Sequence, residues 1–228
     1  MLKKIARVIL KIAIWFIAIS IFSVLFFRFV PVPFTPLMLI RCVEQKADGK
    51  EMKLSKDWVS LEKISSAMPL AVIAAEDQKF EEHFGFDLEA IKKAENYNKK
   101  HQGKKMKGAS TISQQTAKNV FLWPNRSWIR KGFEVYFTFL IEIFWSKQRI
   151  MEVYLNVIEM GDGIYGVEAA AQEYFHKPAS KLSVREAALI AAILPSPLKW
   201  SPVKPNARVQ KKAARIMHFI SRLKLEDF

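Results

Sequence analysis

AVIAAEDQKFEEHFGF, residues 71–86, decides how this chain is read, together with GASTISQQTAKN, residues 108–119. In the first stretch an alanine-rich apolar run ends abruptly in Glu76-Asp77, and Phe80, His83 and Gly85 follow. That run predicts a buried helix over 66–76. A carboxylate at the end of a buried helix is pulled one way by burial and the other by nearby cations, which makes it a candidate general base. In the second stretch Thr111-Ile112-Ser113-Gln114 fits a capping box, so a helix begins there and runs toward Asn119. Two dense polar clusters thus sit within 50 residues of each other, one of them grown out of an apolar helix.

Outward from this centre the pattern is helical. Asp87 predicts the cap of a helix reaching about Asn98, followed by a basic, glycine-punctuated loop over 98–108. Further helices are expected over 128–145, 147–160, 167–175 and 183–194, the last opened by a second capping box at Ser183 and Glu186 and closed by Pro195 and Pro197. Gly161-Asp162-Gly163 reads as a turn, and Asn206 caps a last, cationic helix to about 223. No alternating strand of convincing length and no internal repeat is present. The fold class expected is mainly α.

Toward the N-terminus, Lys3, Lys4, Arg7 and Lys11 precede a charge-free run from Ile12 to Phe27. With Val8 to Leu10 added and Lys11 snorkelling, this reaches the ~20 apolar residues that a spanning helix needs. A signal peptide would show a small-x-small cleavage site, whereas this run leaves through Phe27-Arg28-Phe29-Val30-Pro31. Residues 1–30 are therefore read as an uncleaved anchor. The cations before it place the N-terminus in the cytoplasm and the rest of the chain on the outer face of the inner membrane, the periplasm. Pro31, Pro33 and Pro36 are expected to make a stiff exit, residues 31–57 a connector, and residues 58–228 one catalytic domain.

Composition narrows the partners. Lys and Arg outnumber Asp and Glu by 36 to 22, giving +14, which suits anionic lipid, a phosphate-bearing substrate or nucleic acid. Much of that charge falls in the anchor's flank, the 98–108 loop and the last helix, so it matches an anionic membrane better than a nucleic acid, and no nucleic acid is expected. Cys42 is the single cysteine, which excludes an intramolecular disulfide and a cysteine metal cluster.

Five motifs, in order, resemble the signatures of family 51 glycosyltransferases, the peptidoglycan polymerases. They are Glu76-Asp77-x-x-Phe80-x-x-His83-x-Gly85; Gly108-x-Ser110-Thr111-Ile112-x-Gln114-Gln115-x-x-Lys118-Asn119; Arg130-Lys131-x-x-Glu134; Lys147-x-x-Ile150-x-Glu152-x-Tyr154-Leu155-Asn156; and Arg185 to Leu189 with Leu194-Pro195. One anchor and no second catalytic segment are similar to the monofunctional branch of that family. The resemblance implies a lysozyme-like α domain that polymerises lipid II by inverting transfer, releasing undecaprenyl pyrophosphate. It implies Glu76 as base with Asp77 beside it, Glu134 within the site, and a substrate-binding set of Gly108, Ser110, Thr111, Gln114, Gln115, Lys118, Arg126, Arg130 and Lys131. Expected partners are lipid II, the growing lipid-linked glycan and the membrane, with cell-wall synthesis or division proteins beyond them. No cofactor and no metal-ligand set can be read, although by similarity to some relatives a divalent cation, Mg or Mn, can assist the pyrophosphate.

Several residues also have plainer readings. Glu134 lies four residues after Arg130 and can simply pair with it. His83 packs and hydrogen-bonds more readily than it ligates metal. Glu152, Tyr154 and Asn156 hold helices at the site's edge, and the aromatic stripe over 128–145 is core with a second role at the membrane surface. The rival activity is a lytic, glycan-cleaving enzyme on the same scaffold, which would have no pyrophosphate to bind. A membrane-tethered binding protein for anionic polymers stands further off.

Overall fold

A computed structural model describes residues 1–101, 106–125 and 127–222. Within them the chain forms ten α-helices and three short strands. The helices are α1 (Leu2–Phe29), α2 (Pro36–Ala47), α3 (Ala67–Glu76), α4 (Leu88–Lys100), α5 (Ile112–Phe121), α6 (Trp128–Phe144), α7 (Lys147–Val157), α8 (Val167–Phe175), α9 (Val184–Ile193) and α10 (Ala207–Ile220). The strands are β1 (Ser55–Lys56), β2 (Glu159–Gly161) and β3 (Ile164–Tyr165).

α3 and α9 form the middle of the domain. Residues 67–73 of α3 and 187–193 of α9 are buried without interruption, as expected of helices apolar on every side. α10 covers both, turning Val209, Ala213 and Ile216 inward. A second layer is made by α5, α6 and α7, with Ile112, Ala117, Ile141, Ile150 and Leu155 in the shared core.

Local chemistry explains the helix starts. Asp87, Thr111, Ser183 and Asn206 each accept a bond from a backbone N–H in the first turn, and Thr111 and Ser183 complete capping boxes with Gln114 and Glu186. Such caps satisfy donors that the helix itself leaves free. The last helix is described to Ile220, and residue 223, its expected end, lies outside the described residues.

Three expectations are corrected. The segment after the anchor contains α2: Thr35 caps it and Pro36 occupies its first turn, where a proline's missing N–H costs nothing. Helix 147–160 stops at Val157, and Met160 belongs to β2. The strands β1, β2 and β3 form a sheet in the order β1-β3-β2, with β1 parallel and β2 antiparallel to β3. At two or three residues each they are too short to show a period of two.

α1 is long and apolar enough to cross a membrane. Its second half packs on α6, where Phe16 meets Phe133 at 5.5 Å and the Ser20 hydroxyl meets that of Tyr136 at 2.6 Å.

Candidate active site

Glu76 is the last residue of α3, where the buried helix reaches the surface. Asp77 breaks it by taking φ −159°, so His83 does not continue the same helix face. Glu76 is held from two sides. Gln115 Nε2 of α5 donates to its Oε2 at 3.2 Å, and Lys212 Nζ of α10 to its Oε1 at 3.2 Å. Gln115 is itself oriented, because the Tyr154 hydroxyl donates to its Oε1 at 3.3 Å and leaves the NH₂ for Glu76. Burial, followed by the nearby charges of Glu76 and Asp77, pushes the Tyr154 phenol well up, so it stays a neutral donor.

Asp77 faces inward and is almost wholly buried. It accepts the Ile112 N–H at 3.0 Å, an anion on one of the free donors at the start of α5, and lies 2.9 Å from His83 Nε2. It therefore joins the end of α3 to the beginning of α5. Gly85 lies in the turn that follows α3, before α4. Its φ is +76°, and a Cβ there would meet Thr138 Cγ2 at 2.8 Å and Glu142 Cγ at 3.0 Å. Thr111 donates its hydroxyl to the Gly85 carbonyl at 2.7 Å, and Thr111 and Gln114 are buried and occupied with each other. Behind them Glu142 accepts from Ser113 Oγ and from Lys147 Nζ, the latter at 2.9 Å.

The cationic part of the site stands on α5 and α6. Glu134, nearly buried, takes Arg130 Nη1 at 2.7 Å and Lys131 Nζ at 2.5 Å. Arg130 Nε is buried without a partner among the described residues. Lys118 faces this group from α5, and burial holds its ammonium below the usual lysine range; Glu134 opposes that shift, whereas Arg130 and Lys131 reinforce it. Three cations thus surround one carboxylate, which leaves positive charge over for an anion. Gln115 and Lys118 are three residues apart on α5, about 4.5 Å along the axis, so the Glu76 end and the cationic end meet across one helical turn.

Two cavities share a wall. One, of about 280 Å³, is lined by Glu76, Asp77, Lys79, Asp87 and Gly108 to Thr111. The other, of about 710 Å³, is lined by Gly108, Ala109, Ser110, Gln114, Trp128 and Lys131 together with the inner face of α4. Gly108, Ala109 and Ser110 separate the two and border both. Arg126 lies outside the described residues, as do residues 102–105 of the basic loop.

Eleven of the twelve residues singled out from the sequence are therefore described, and all eleven fall in this region. Lys212 was missed. It is 136 positions from Glu76, and the only hint in the sequence is a last helix that contains cations and no acid.

The matching family model, described as Transglycosylase, covers residues 44–221. The chain belongs to the transglycosylase family. Proteins named biosynthetic peptidoglycan transglycosylase align over nearly all of it. The one from Bacteroides thetaiotaomicron is 54% identical over 220 residues, 96% of this chain and 88% of that protein. Those from Caulobacter vibrioides and Pseudomonas putida are 53% and 50% identical, covering 92% and 98% of this chain and 88% and 94% of their own length. The family match begins at residue 44, near the end of α2 and before residue 58.

Lys118, Arg130 and Lys131 are cations, and among the described residues no group of three or more His, Cys, Asp or Glu is arranged to hold an ion.

Proposed function

We propose that the chain is a peptidoglycan glycosyltransferase that joins lipid-linked disaccharides, with lipid II as acceptor and the growing lipid-linked glycan as donor. The observation that carries this reading is the pairing of an oriented carboxylate, Glu76, with an excess of cations one helical turn away. In the reaction the acceptor's 4-hydroxyl attacks the anomeric carbon of the donor and the bond to the pyrophosphate breaks. Configuration inverts, the hydroxyl proton passes to Glu76, and undecaprenyl pyrophosphate leaves. A hydroxyl is a weak nucleophile, so proton removal has to accompany bond formation.

Gln115 and Lys212 aim the carboxylate, with Tyr154 fixing the Gln115 amide. Lys118, Arg130 and Lys131 meet the charge that builds on the departing pyrophosphate, and Glu134 keeps the latter two in place. Gly108 and Ser110 shape the wall between the two cavities, and Thr111 and Gln114 hold that wall to the start of α5. Asp77 positions Glu76 by fixing α3 to α5.

α1 serves as a single-pass anchor in the inner membrane, its N-terminus cytoplasmic and the domain periplasmic, by the charge asymmetry around the span. The exposed Trp128, Ile129 and Phe139 of α6 then lie at the bilayer surface, where a lipid-held substrate is delivered.

A lytic enzyme on the same scaffold would need the carboxylate and not the cations. Incubation with purified lipid II and, separately, with finished glycan decides between the two. Polymer made from lipid II with the glycan left intact supports the proposal; cleaved glycan with lipid II untouched refutes it.

A further inference from the structure

Arg149 takes no part in the site above, yet its guanidinium is fully engaged. Nε and Nη2 donate to the Phe27 carbonyl at 3.1 and 2.7 Å, and Nη2 also reaches the Val30 carbonyl at 2.7 Å. Nη1 pairs with Glu152 at 3.0 Å, and the group lies 5.2 Å from the centre of the Trp58 ring. Phe27 and Val30 form the C-terminal end of α1, where carbonyls have no partner within the helix and the dipole favours a cation. A planar fork holds two carbonyls and a carboxylate in one fixed geometry, whereas an ammonium's three donors turn freely on a flexible stem and hold them less rigidly.

Arg149 is the last of a row of contacts. Phe16, Ser20, Val24 and Phe27 recur at helical spacing along one face of α1. They meet Phe133, Tyr136, Trp145 and Phe121 in turn, with Trp145 Nε1 donating to the Val24 carbonyl at 2.8 Å. A tether would need none of this. From Phe16 to Phe29 the docked length is about 20 Å, two thirds of a bilayer's hydrocarbon thickness.

We infer that Arg149 is a positioning residue that latches the outer end of α1 to the catalytic domain. The latch makes anchor and domain one rigid body, so the tilt of α1 in the bilayer fixes the direction in which the Glu76 cleft opens. This rests on reading α1 as a membrane span.

The test uses the whole chain with Cys42→Ser and spin labels on Ile9→Cys and Gln172→Cys, reconstituted in vesicles of anionic and zwitterionic phospholipid. The parent chain should give a narrow distance distribution. Arg149→Ala should broaden it at least about twofold. Arg149→Lys, which keeps a cation beside Glu152 and so guards against simple misfolding, should fall between. Turnover of lipid II should drop about tenfold for Arg149→Ala in vesicles and stay within about twofold in detergent micelles, where substrate arrives from any direction. An unchanged width, or a turnover loss that is equal in both settings or absent from both, overturns the inference. Vesicle flotation of the parent chain tests the span reading separately, and the distance data stand whether or not the chain polymerises lipid II.

Discussion

Lys118 shows how a residue's cost and its use are connected. Burial lowers the pKa of its ammonium below the ordinary 10.5, so a charge is kept where solvent would not put it. Between the lowered value and 10.5 the unfolded chain binds a proton that the folded chain has released. Stability therefore rises with pH across that window, and below it the cost is present in full. Lys118→Met should raise the unfolding midpoint at pH 7 by about 2–4 °C, the equivalent of about 1 kcal/mol in a domain of this size. It should also flatten the alkaline rise and slow donor consumption by at least about tenfold. Calorimetry across pH and lipid II turnover measure the two effects, and a variant that is both less stable and fully active would remove Lys118 from the anion site. Tyr154→Phe tests orientation: without the phenol the Gln115 amide is free to turn, and kcat should fall about tenfold with KM little changed.

At the scale of elements, the tie between the turn after α3 and the start of α5 depends on Gly85 and Thr111. Gly85→Ala forces a side chain into a left-handed conformation and against Thr138 and Glu142, and Thr111→Ala removes a cap that also ties down the Gly85 carbonyl. Each should cost about 1–3 kcal/mol by denaturant titration, with activity lost in step because Asp77 and Ile112 part. This scale also shows what could be read in advance. The helices announced themselves where a capping side chain stood before an apolar pattern, as at Asp87, Thr111, Ser183 and Asn206. α2 escaped because Pro36 stands with Pro31 and Pro33 in a proline-broken exit, although Thr35-Pro36 also suits a helix start. The sheet escaped because its strands are defined by partners far along the chain, Ser55 on Ile164 and Glu159 on Tyr165, and not by any local period. The carboxylates and cations of the site were visible in the motifs. Lys212 was not, since only the packing of α10 on α3 brings it to Glu76.

For the whole molecule, the proposed span of α1, docked along α6, places the domain at the bilayer surface as part of the same proposal. Trp128 is 92% exposed, with Ile129 beside it. In vesicles of brominated lipid its fluorescence should be quenched, seen as the difference between the parent chain and Trp128→Phe; equal quenching of the two would lift α6 out of the membrane. In the proposed function, anchor, cleft and cations together deliver a lipid-linked sugar to one proton acceptor, Glu76. Single-turnover conversion of lipid II by Glu76→Gln in vesicles isolates that acceptor. The rate should fall at least about 10³-fold below that of the parent chain, with vesicle binding and unfolding midpoint unchanged. Glycan extension by Glu76→Gln at a rate near that of the parent chain would contradict it.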